Sequence, residues 1–303
     1  MKRNFVDLWD ISPEEGWEII RWAKAIKEGI DKGKYLQGKN LALYFTKPST
    51  RTRVSFEVAI NQLGGHAIFL QEGNLQVARG EDLKDTARTL SRYLDGIIIR
   101  TDSHKKLEEF AKYADIPVIN ALTDMSHPCQ ILSDVFTLYE AFGEDIKNIK
   151  IAYVGDGNNV CNTWLVGAGL FGLNLFIATP EGYEPSSLYY QAGEDLCKIT
   201  GGSVYLTTNP IEAVKEAHVV YTDVWVSMNQ DRNEEKIQAL MPYQVNSSLL
   251  SHARPEVKVM HCLPAKKGEE ITEEVFEAYA DFIFTQAENR LHAQKALFKF
   301  LFS

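Results

Sequence analysis

Short apolar runs alternate with helical periodicity along most of this 303-residue chain, and this alternation limits the possible folds more than any single motif. Runs at 41–45, 67–70, 96–100 and 117–120 are typical of buried strands, and 82–94 and 107–113 have helical periodicity. A second series of strand-like runs occupies 149–154, 174–178, 203–207, 218–222, 258–261 and 281–284, before a predicted last helix at 289–301. Strands that alternate with helices indicate βα units and a mainly parallel sheet.

The two series predict an α/β protein with two similar domains, each a mainly parallel sheet flanked by helices. We expect the domains to cover 1–137 and 138–288. In open parallel sheets, ligands bind beyond the carboxyl ends of the strands. An active site is therefore expected in the cleft between the two domains.

The segment FTKPSTRTRVSF at 45–56, after the first predicted strand, has the composition of an anion site. Pro48 and the hydroxyls beside it predict a helix N-terminus, where backbone N–H groups and the helix dipole favour an anion. The five residues after Pro48 are three hydroxyl residues and two arginines, namely Ser49, Thr50, Thr52, Arg51 and Arg53. Helix capping needs one hydroxyl, and arginine matches phosphate oxygens. This composition favours a phosphate site.

Polar residues also follow later strands. Arg100 ends one apolar run, and by itself it is typical of a solvated strand end. His127 and Gln130 stand at another predicted helix start, where both side chains can donate to a carbonyl or amide. Asp223 ends a strand of the second series, where it either caps the next element or neutralises an ammonium group.

Two further motifs have competing interpretations. Cys262 follows His261, but adjacent strand residues point to opposite faces, which disfavours direct activation of the thiol by this imidazole. The turn GDGNNV at 155–160 follows a strand but has Val160 where a dinucleotide motif has its third glycine. Asn158 and Asn159 are better suited to the charged ends of a small ligand.

Composition excludes several classes of protein. A net charge of −9 argues against general nucleic-acid binding, so any anion site must be local. The four cysteines form no C-x-x-C pair, so the sequence indicates neither a zinc site nor a disulfide framework. No apolar run is long enough to span a membrane, and the first residues lack a signal sequence. We expect a cytoplasmic protein with reduced thiols, no metal and no nucleic-acid or membrane partner.

The order and spacing of four motifs resemble the aspartate/ornithine carbamoyltransferase family, over nearly the whole chain. The motifs are STRTR at 49–53, HPCQ at 127–130, DVWVSM at 223–228 and HCLP at 261–264. The last two resemble the ornithine-specific members. The resemblance implies transfer of the carbamoyl group of carbamoyl phosphate to the δ-amine of L-ornithine, giving L-citrulline and phosphate. It implies direct attack without a covalent intermediate and without a cofactor.

The resemblance also implies a role for each site residue. The phosphate ligands would be Ser49, Thr50, Arg51, Thr52 and Arg100; the carbamoyl ligands would be Thr52, Arg100, His127 and Gln130. Ornithine would contact Asn159, Asp223, Ser227 and Met228, and Cys262, the Leu263 carbonyl and Arg290 would lie near the reacting groups. Family members are trimers, so a homotrimer or a higher assembly of trimers is expected, with the helix at 289–303 packed on the first domain.

Several alternatives stay open. Asn229 stands where the ornithine enzymes usually have glycine, which affects the amine-specific loop. A related enzyme would carbamoylate putrescine or N-acetylornithine instead. A nicotinamide-dependent oxidoreductase that uses the turn at 155–160 and a non-catalytic binding protein of the same fold are the alternatives from other classes. The motifs do not distinguish arginine biosynthesis from arginine breakdown.

Overall fold

The computed structural model describes residues 2–71, 73, 80–226 and 233–303. These residues form two compact units, Met1–Phe136 with Asn289–Ser303, and Thr137–Glu288. No helix in the described ranges is long and apolar enough to cross a membrane.

The first unit contains a four-stranded sheet in which every pairing is parallel. Its strands are β1 (Asn40–Phe45), β2 (His66–Gln71), β3 (Gly96–Arg100) and β4 (Val118–Leu122), in the spatial order β2-β1-β3-β4. The helices are α1 (Pro13–Lys27), α2 (Thr50–Gln62), α3 (Leu83–Leu90), α4 (His104–Tyr113) and the start of α5 (Pro128–Phe142). Leu41 lies opposite Gly96 and Phe45 opposite Arg100, so β1 and β3 end together.

The second unit contains a five-stranded parallel sheet. Its strands are β5 (Lys150–Val154), β6 (Asn174–Ala178), β7 (Ser203–Thr207), β8 (Val219–Thr222) and β9 (Lys258–His261), in the order β7-β6-β5-β8-β9. The helices are α6 (Asn159–Phe171), α7 (Ser187–Thr200), α8 (Pro210–Val214), α9 (Glu234–Leu240), α10 (Ser247–Leu250) and α11 (Glu273–Ala278). The predicted α/β fold with two parallel sheets is confirmed.

One predicted strand is wrong. Residues 281–284 belong to the first turns of α12 (Ala280–Phe302), in which the Phe282 and Ile283 N–H groups both donate to the Tyr279 carbonyl. The Thr285 hydroxyl likewise bonds the Asp281 carbonyl 2.8 Å away, as a helical spacing of four requires. Asp281 is followed by three apolar residues, and so short an apolar run does not distinguish a strand from a helical turn, which explains the error.

From Asn289 onward, α12 packs within the first unit. The Phe298 and Phe56 rings meet edge to face with centroids 5.9 Å apart. Lys299 Nζ lies 2.7 Å from Asp31 Oδ2, and both side chains are mostly buried. These contacts hold the C-terminal part of α12 within the first unit.

Candidate active site

The N-terminus of α2 is not closed by its own N-cap side chain. Ser49 stands at the N-cap position with extended backbone, yet its hydroxyl makes no capping hydrogen bond. Instead, Ser49 Oγ accepts from Arg100 Nη1 at 3.1 Å. The first turn of α2 also contains no acidic residue. The helix dipole and the N–H groups of this turn therefore favour an anion.

Two buried arginines converge on this helix start. Arg100 is 7% exposed and Arg290 is 4% exposed. Arg290 Nη2 donates to Thr52 Oγ1 at 3.1 Å, as Arg100 does to Ser49. Two guanidinium groups that donate to hydroxyls at a helix start with no acidic residue in its first turn suit a phosphate ligand.

His127 is a neutral imidazole at the start of α5. Its burial lowers its pKa well below the ordinary value, and the positive charges of Arg290 and Arg100 lower that pKa further. A neutral imidazole donates one N–H bond without acting as an acid. Gln130 is also buried, and its amide nitrogen donates to Asp134 Oδ1 at 2.8 Å. This bond orients the Gln130 carbonyl oxygen as the acceptor for a ligand amide.

The other residues of the STRTR motif at 49–53 differ in whether their side chains are already bonded within the protein. Thr50 and Arg51 are exposed at the start of α2. Arg53 lies over the Phe69 ring, 3.7 Å from its centroid, and pairs with Glu57 at 3.4 Å. Arg53 is thus engaged on the side of α2, and four residues of the motif remain as phosphate candidates.

In the second unit, Asp223 is the centre of a hydrogen-bonded group at the end of β8. Cys262 Sγ donates to Asp223 Oδ1 at 2.9 Å, and Asn158 Nδ2 donates to Asp223 Oδ2 at 2.8 Å. Asp223 is 5% exposed, so its carboxylate is largely shielded from bulk water. A carboxylate held in place by two neutral donors is suited to bind a cationic ligand.

Asn158, which the sequence suggests as a partner for a charged end of a small ligand, bonds Asp223 of the same chain. Its Oδ1 caps α6 by accepting from the Val160 and Cys161 N–H groups at 2.9 and 3.1 Å. The cap leaves Nδ2 directed at Asp223. An asparagine before a helix is a sequence signal for such a cap, but it does not reveal a contact with Asp223, 65 positions away. Asn159 is the first residue of α6.

The turn between β5 and α6 leaves no room for a dinucleotide at Gly157. An added Cβ there would lie 2.3 Å from the Glu184 carbonyl carbon and the Pro185 nitrogen. The Gly157 N–H donates to the Tyr183 carbonyl at 2.9 Å. The glycine accommodates the neighbouring backbone rather than a pyrophosphate, which argues against the oxidoreductase interpretation.

Cys262 and Leu263 follow β9 in a tight turn. Leu263 has φ of +60°, and its bond to Pro264 is cis. Asp223, His261 and Cys262 have ligand atoms within 4.8 Å of one another. His261, however, uses Nδ1 to accept from the Leu263 N–H at 2.9 Å and Nε2 to bond Glu270 at 3.0 Å. This imidazole therefore functions in the hydrogen-bond network of the turn.

A buried ion pair lies beside this group. Lys236 Nζ, on α9, is 2.6 Å from Asp156 Oδ2, and the two side chains are 13% and 9% exposed. Burial raises the pKa of Asp156 to about 6, and the nearby Asp223 charge adds to the rise while Lys236 opposes it. Because the pKa in the folded state is above the ordinary 3.8, ionising Asp156 lowers stability as pH rises from about 4 to above 6.

We predict that Lys236→Met is destabilising at high pH and nearly neutral at low pH. At pH 8 the variant keeps a buried carboxylate without its cation, at a cost of about 3 kcal/mol in the free energy of unfolding. At pH 5 Asp156 is protonated, so we expect a loss below about 1 kcal/mol. Urea unfolding at both pH values measures this, with Lys198→Met, at an exposed pair with Asp195, as control. An equal loss at both pH values would contradict the assignment.

Two predicted ornithine ligands, Ser227 and Met228, lie outside the described residues, as does Asn229. The structure brings Ser49, Thr52, Arg100 and Arg290 together in the first unit. It brings Asp223 and Cys262 together in the second.

Comparison with known proteins shows the family to which the chain belongs. The family's carbamoyl-P binding domain matches residues 3–140, and its Asp/Orn binding domain matches residues 147–301. The ornithine carbamoyltransferase of Aquifex aeolicus is 68% identical over 303 residues, 100% of this chain and 98% of that protein. The chain belongs to the aspartate/ornithine carbamoyltransferase family.

Solved structures agree with this membership. The ornithine carbamoyltransferase of Pyrococcus furiosus superposes with a TM-score of 0.93 at 48% identity, covering 99% of this chain and 97% of that one. The anabolic ornithine carbamoyltransferase of Campylobacter jejuni gives a TM-score of 0.94 at 41% identity, covering 99% of both chains.

Proposed function

We propose that this chain transfers the carbamoyl group of carbamoyl phosphate to the δ-amine of L-ornithine, producing L-citrulline and phosphate. The observation that carries the proposal is the pair of buried arginines bonded to hydroxyls at the N-terminus of α2. This cluster lies within the region matched by the family's carbamoyl-P binding domain. The full-length similarity to ornithine carbamoyltransferases supports ornithine as the acceptor.

The donor would be held by the first unit. Ser49, Thr50, Arg51 and Thr52 would bind the phosphate oxygens, with Arg100 shared between phosphate and carbamoyl group. As charge develops on the carbamoyl oxygen, Thr52, Arg100 and the neutral His127 would donate to it. The Gln130 carbonyl oxygen would accept from the carbamoyl NH₂ group, because Asp134 holds the Gln130 amide nitrogen.

The acceptor would be bound by the second unit. Asn159, Asp223, Ser227 and Met228 would contact ornithine, whose amines are protonated near neutral pH. The neutral δ-amine attacks the carbamoyl carbon, a C–N bond forms, and the bond to the phosphate oxygen breaks with its electron pair. Asp223 and Cys262 would take part in removing the amine proton, which ends on phosphate or water. The Leu263 carbonyl and Arg290 would lie near the reacting groups.

We also propose a homotrimer, or an assembly of trimers, in the cytoplasm. Edge strand β2 has half-exposed residues along most of its length, and Val54 on α2 is 52% exposed, which supports self-association. Four free cysteines and a net charge of −9 are consistent with a reducing compartment. Relatives in Pyrococcus furiosus and Campylobacter jejuni are named anabolic, which supports the biosynthetic direction. Sedimentation velocity would test the assembly.

The reaction is tested by incubating the purified chain with carbamoyl phosphate and L-ornithine. We expect citrulline and phosphate to appear in equal amounts, with phosphate release above the spontaneous rate only when ornithine is present. Phosphate release without citrulline would identify a hydrolase instead and would overturn the proposal.

A further inference from the structure

We propose that Glu270 is a positioning residue for the transfer reaction and acts through His261 on the turn that carries Cys262 and Leu263. The inference rests on the proposed function, because this turn is assigned to the acceptor amine. Glu270 and His261 are 0% and 1% exposed. Neither residue is proposed to contact a substrate. Their effect on the reaction therefore comes through the backbone.

One carboxylate oxygen connects both ends of the turn. Glu270 Oε1 lies 3.0 Å from His261 Nε2 and accepts from the Lys266 N–H at 2.6 Å. The other imidazole nitrogen, Nδ1, accepts from the Leu263 N–H at 2.9 Å. Because Nδ1 accepts, the single proton of the neutral ring is on Nε2 and is donated to Glu270. Glu270 thus fixes the ring tautomer.

The backbone at both anchors is itself held. The His261 N–H donates to Gln286 Oε1 at 2.9 Å, and the Glu270 carbonyl accepts from the Val245 N–H at 2.9 Å. Between these anchors, Leu263 has φ of +60°, a left-handed conformation that is unfavourable for a branched side chain. A strained residue persists only where its surroundings hold it, and the Leu263 N–H bond to His261 provides this restraint.

The consequence concerns Cys262, which lies between His261 and Leu263. Cys262 Sγ is 2.9 Å from Asp223 Oδ1, a contact that depends on where the turn places the thiol. If Glu270 is removed, the imidazole loses its acceptor and is free to rotate, so the Leu263 N–H loses a fixed partner. A displacement near 1 Å at reacting groups typically costs about 10²-fold in rate.

The test compares Glu270→Ala with Glu270→Gln, using steady-state kinetics for both substrates. Gln keeps a carbonyl oxygen at the Oε1 position, whereas Ala keeps no acceptor. We expect kcat/KM for ornithine to fall about 10- to 100-fold in Glu270→Ala, with KM for carbamoyl phosphate changed by less than about twofold. In Glu270→Gln, ornithine kinetics should stay within about threefold of wild type. Its thermal midpoint should drop, because its NH₂ group replaces Glu270 Oε2, a buried atom that has no hydrogen-bond partner among the described residues.

Two further variants separate positioning from stability. Val214→Ala removes buried carbons from the core of the same unit, so it should lower the thermal midpoint and leave KM for ornithine unchanged. His261→Gln can still donate to Glu270 but has no group at Nδ1, so it should reproduce the kinetic defect of Glu270→Ala. If Glu270→Ala does not fold, His261→Gln decides the question.

The inference is overturned if Glu270→Ala or His261→Gln keeps wild-type ornithine kinetics, or if Glu270→Gln is as impaired as Glu270→Ala. A wild-type chain that makes no citrulline would instead refute the proposed function. As an independent readout, mass spectrometry after iodoacetamide treatment gives the alkylation rate of Cys262, since the other three cysteines are buried. We expect that rate to change at least about threefold in Glu270→Ala and not in Val214→Ala.

Discussion

Replacing Asp223 with asparagine is expected to lower kcat/KM for L-ornithine by about 10²-fold or more, with little change in KM for carbamoyl phosphate. The substitution removes the buried negative charge that would face the ornithine ammonium group. It also places an NH₂ group near the Cys262 thiol or near Asn158 Nδ2, which now donates to Asp223 at 2.8 Å. Two donors that face each other cannot form a hydrogen bond, so the hydrogen bonds of residue 223 with Cys262 and Asn158 are disrupted.

Initial rates at varied ornithine and fixed carbamoyl phosphate measure this effect. Asp195→Asn is the matched control, because Asp195 lies on the same unit in an exposed pair with Lys198. Exposed pairs contribute little, so the control should have wild-type kinetics. If Asp223→Asn has the wild-type KM and kcat/KM for ornithine, the assignment of Asp223 as an ornithine ligand is wrong.

Replacing Arg100 with methionine is expected to lower kcat by about 10²- to 10³-fold, as removal of one oxyanion donor typically does. The guanidinium is 7% exposed, bonds Ser49 and contributes to the lowered pKa of His127. Methionine keeps much of the side-chain length without the charge. Losing one of two neighbouring cations also relieves repulsion in the ligand-free protein, so we expect its thermal midpoint to shift by less than about 4 °C.

Stopped-time citrulline assays with saturating substrates measure the change in kcat, and differential scanning fluorimetry measures the midpoint. Added inorganic phosphate should raise the midpoint of wild type more than that of Arg100→Met, because phosphate binds only the folded protein. Arg92→Met, at an exposed position of the same unit, serves as control. A kcat near the wild-type value in Arg100→Met would show that Arg100 does not stabilise the developing charge on the carbamoyl oxygen.

Sequence patterns predicted most of the fold because buried parallel strands carry continuous apolar runs. Gly96–Arg100 and Val219–Thr222 are buried throughout, and no polar alternation interrupts them. The same rule failed at 281–284, where a run of three apolar residues after Asp281 is helical. Run length alone does not determine whether backbone groups bond a neighbouring strand or their own helix.

The candidate site was predictable where one segment carries its chemistry, as in residues 49–52 at the start of α2. It was not predictable where distant side chains hold each other. Asn158 reaches Asp223 across 65 positions, and Gln286 reaches His261 across 25. The sequence relates His261 only to the adjacent Cys262, and its bonds to Leu263 and Glu270 depend on a turn geometry that no sequence period encodes.

The proposed reaction transfers a carbamoyl group to ornithine rather than to a related amine. The most direct measurement is kcat/KM of the purified chain with carbamoyl phosphate and each of L-ornithine, putrescine and N-acetylornithine. Putrescine lacks the α-carboxylate, and N-acetylornithine lacks the free α-amine. We expect L-ornithine to be preferred by at least about 10²-fold, since a site built to bind a polar group strongly rejects an analogue without it. A kcat/KM for putrescine or N-acetylornithine equal to or above that for L-ornithine would show that L-ornithine is not the preferred acceptor.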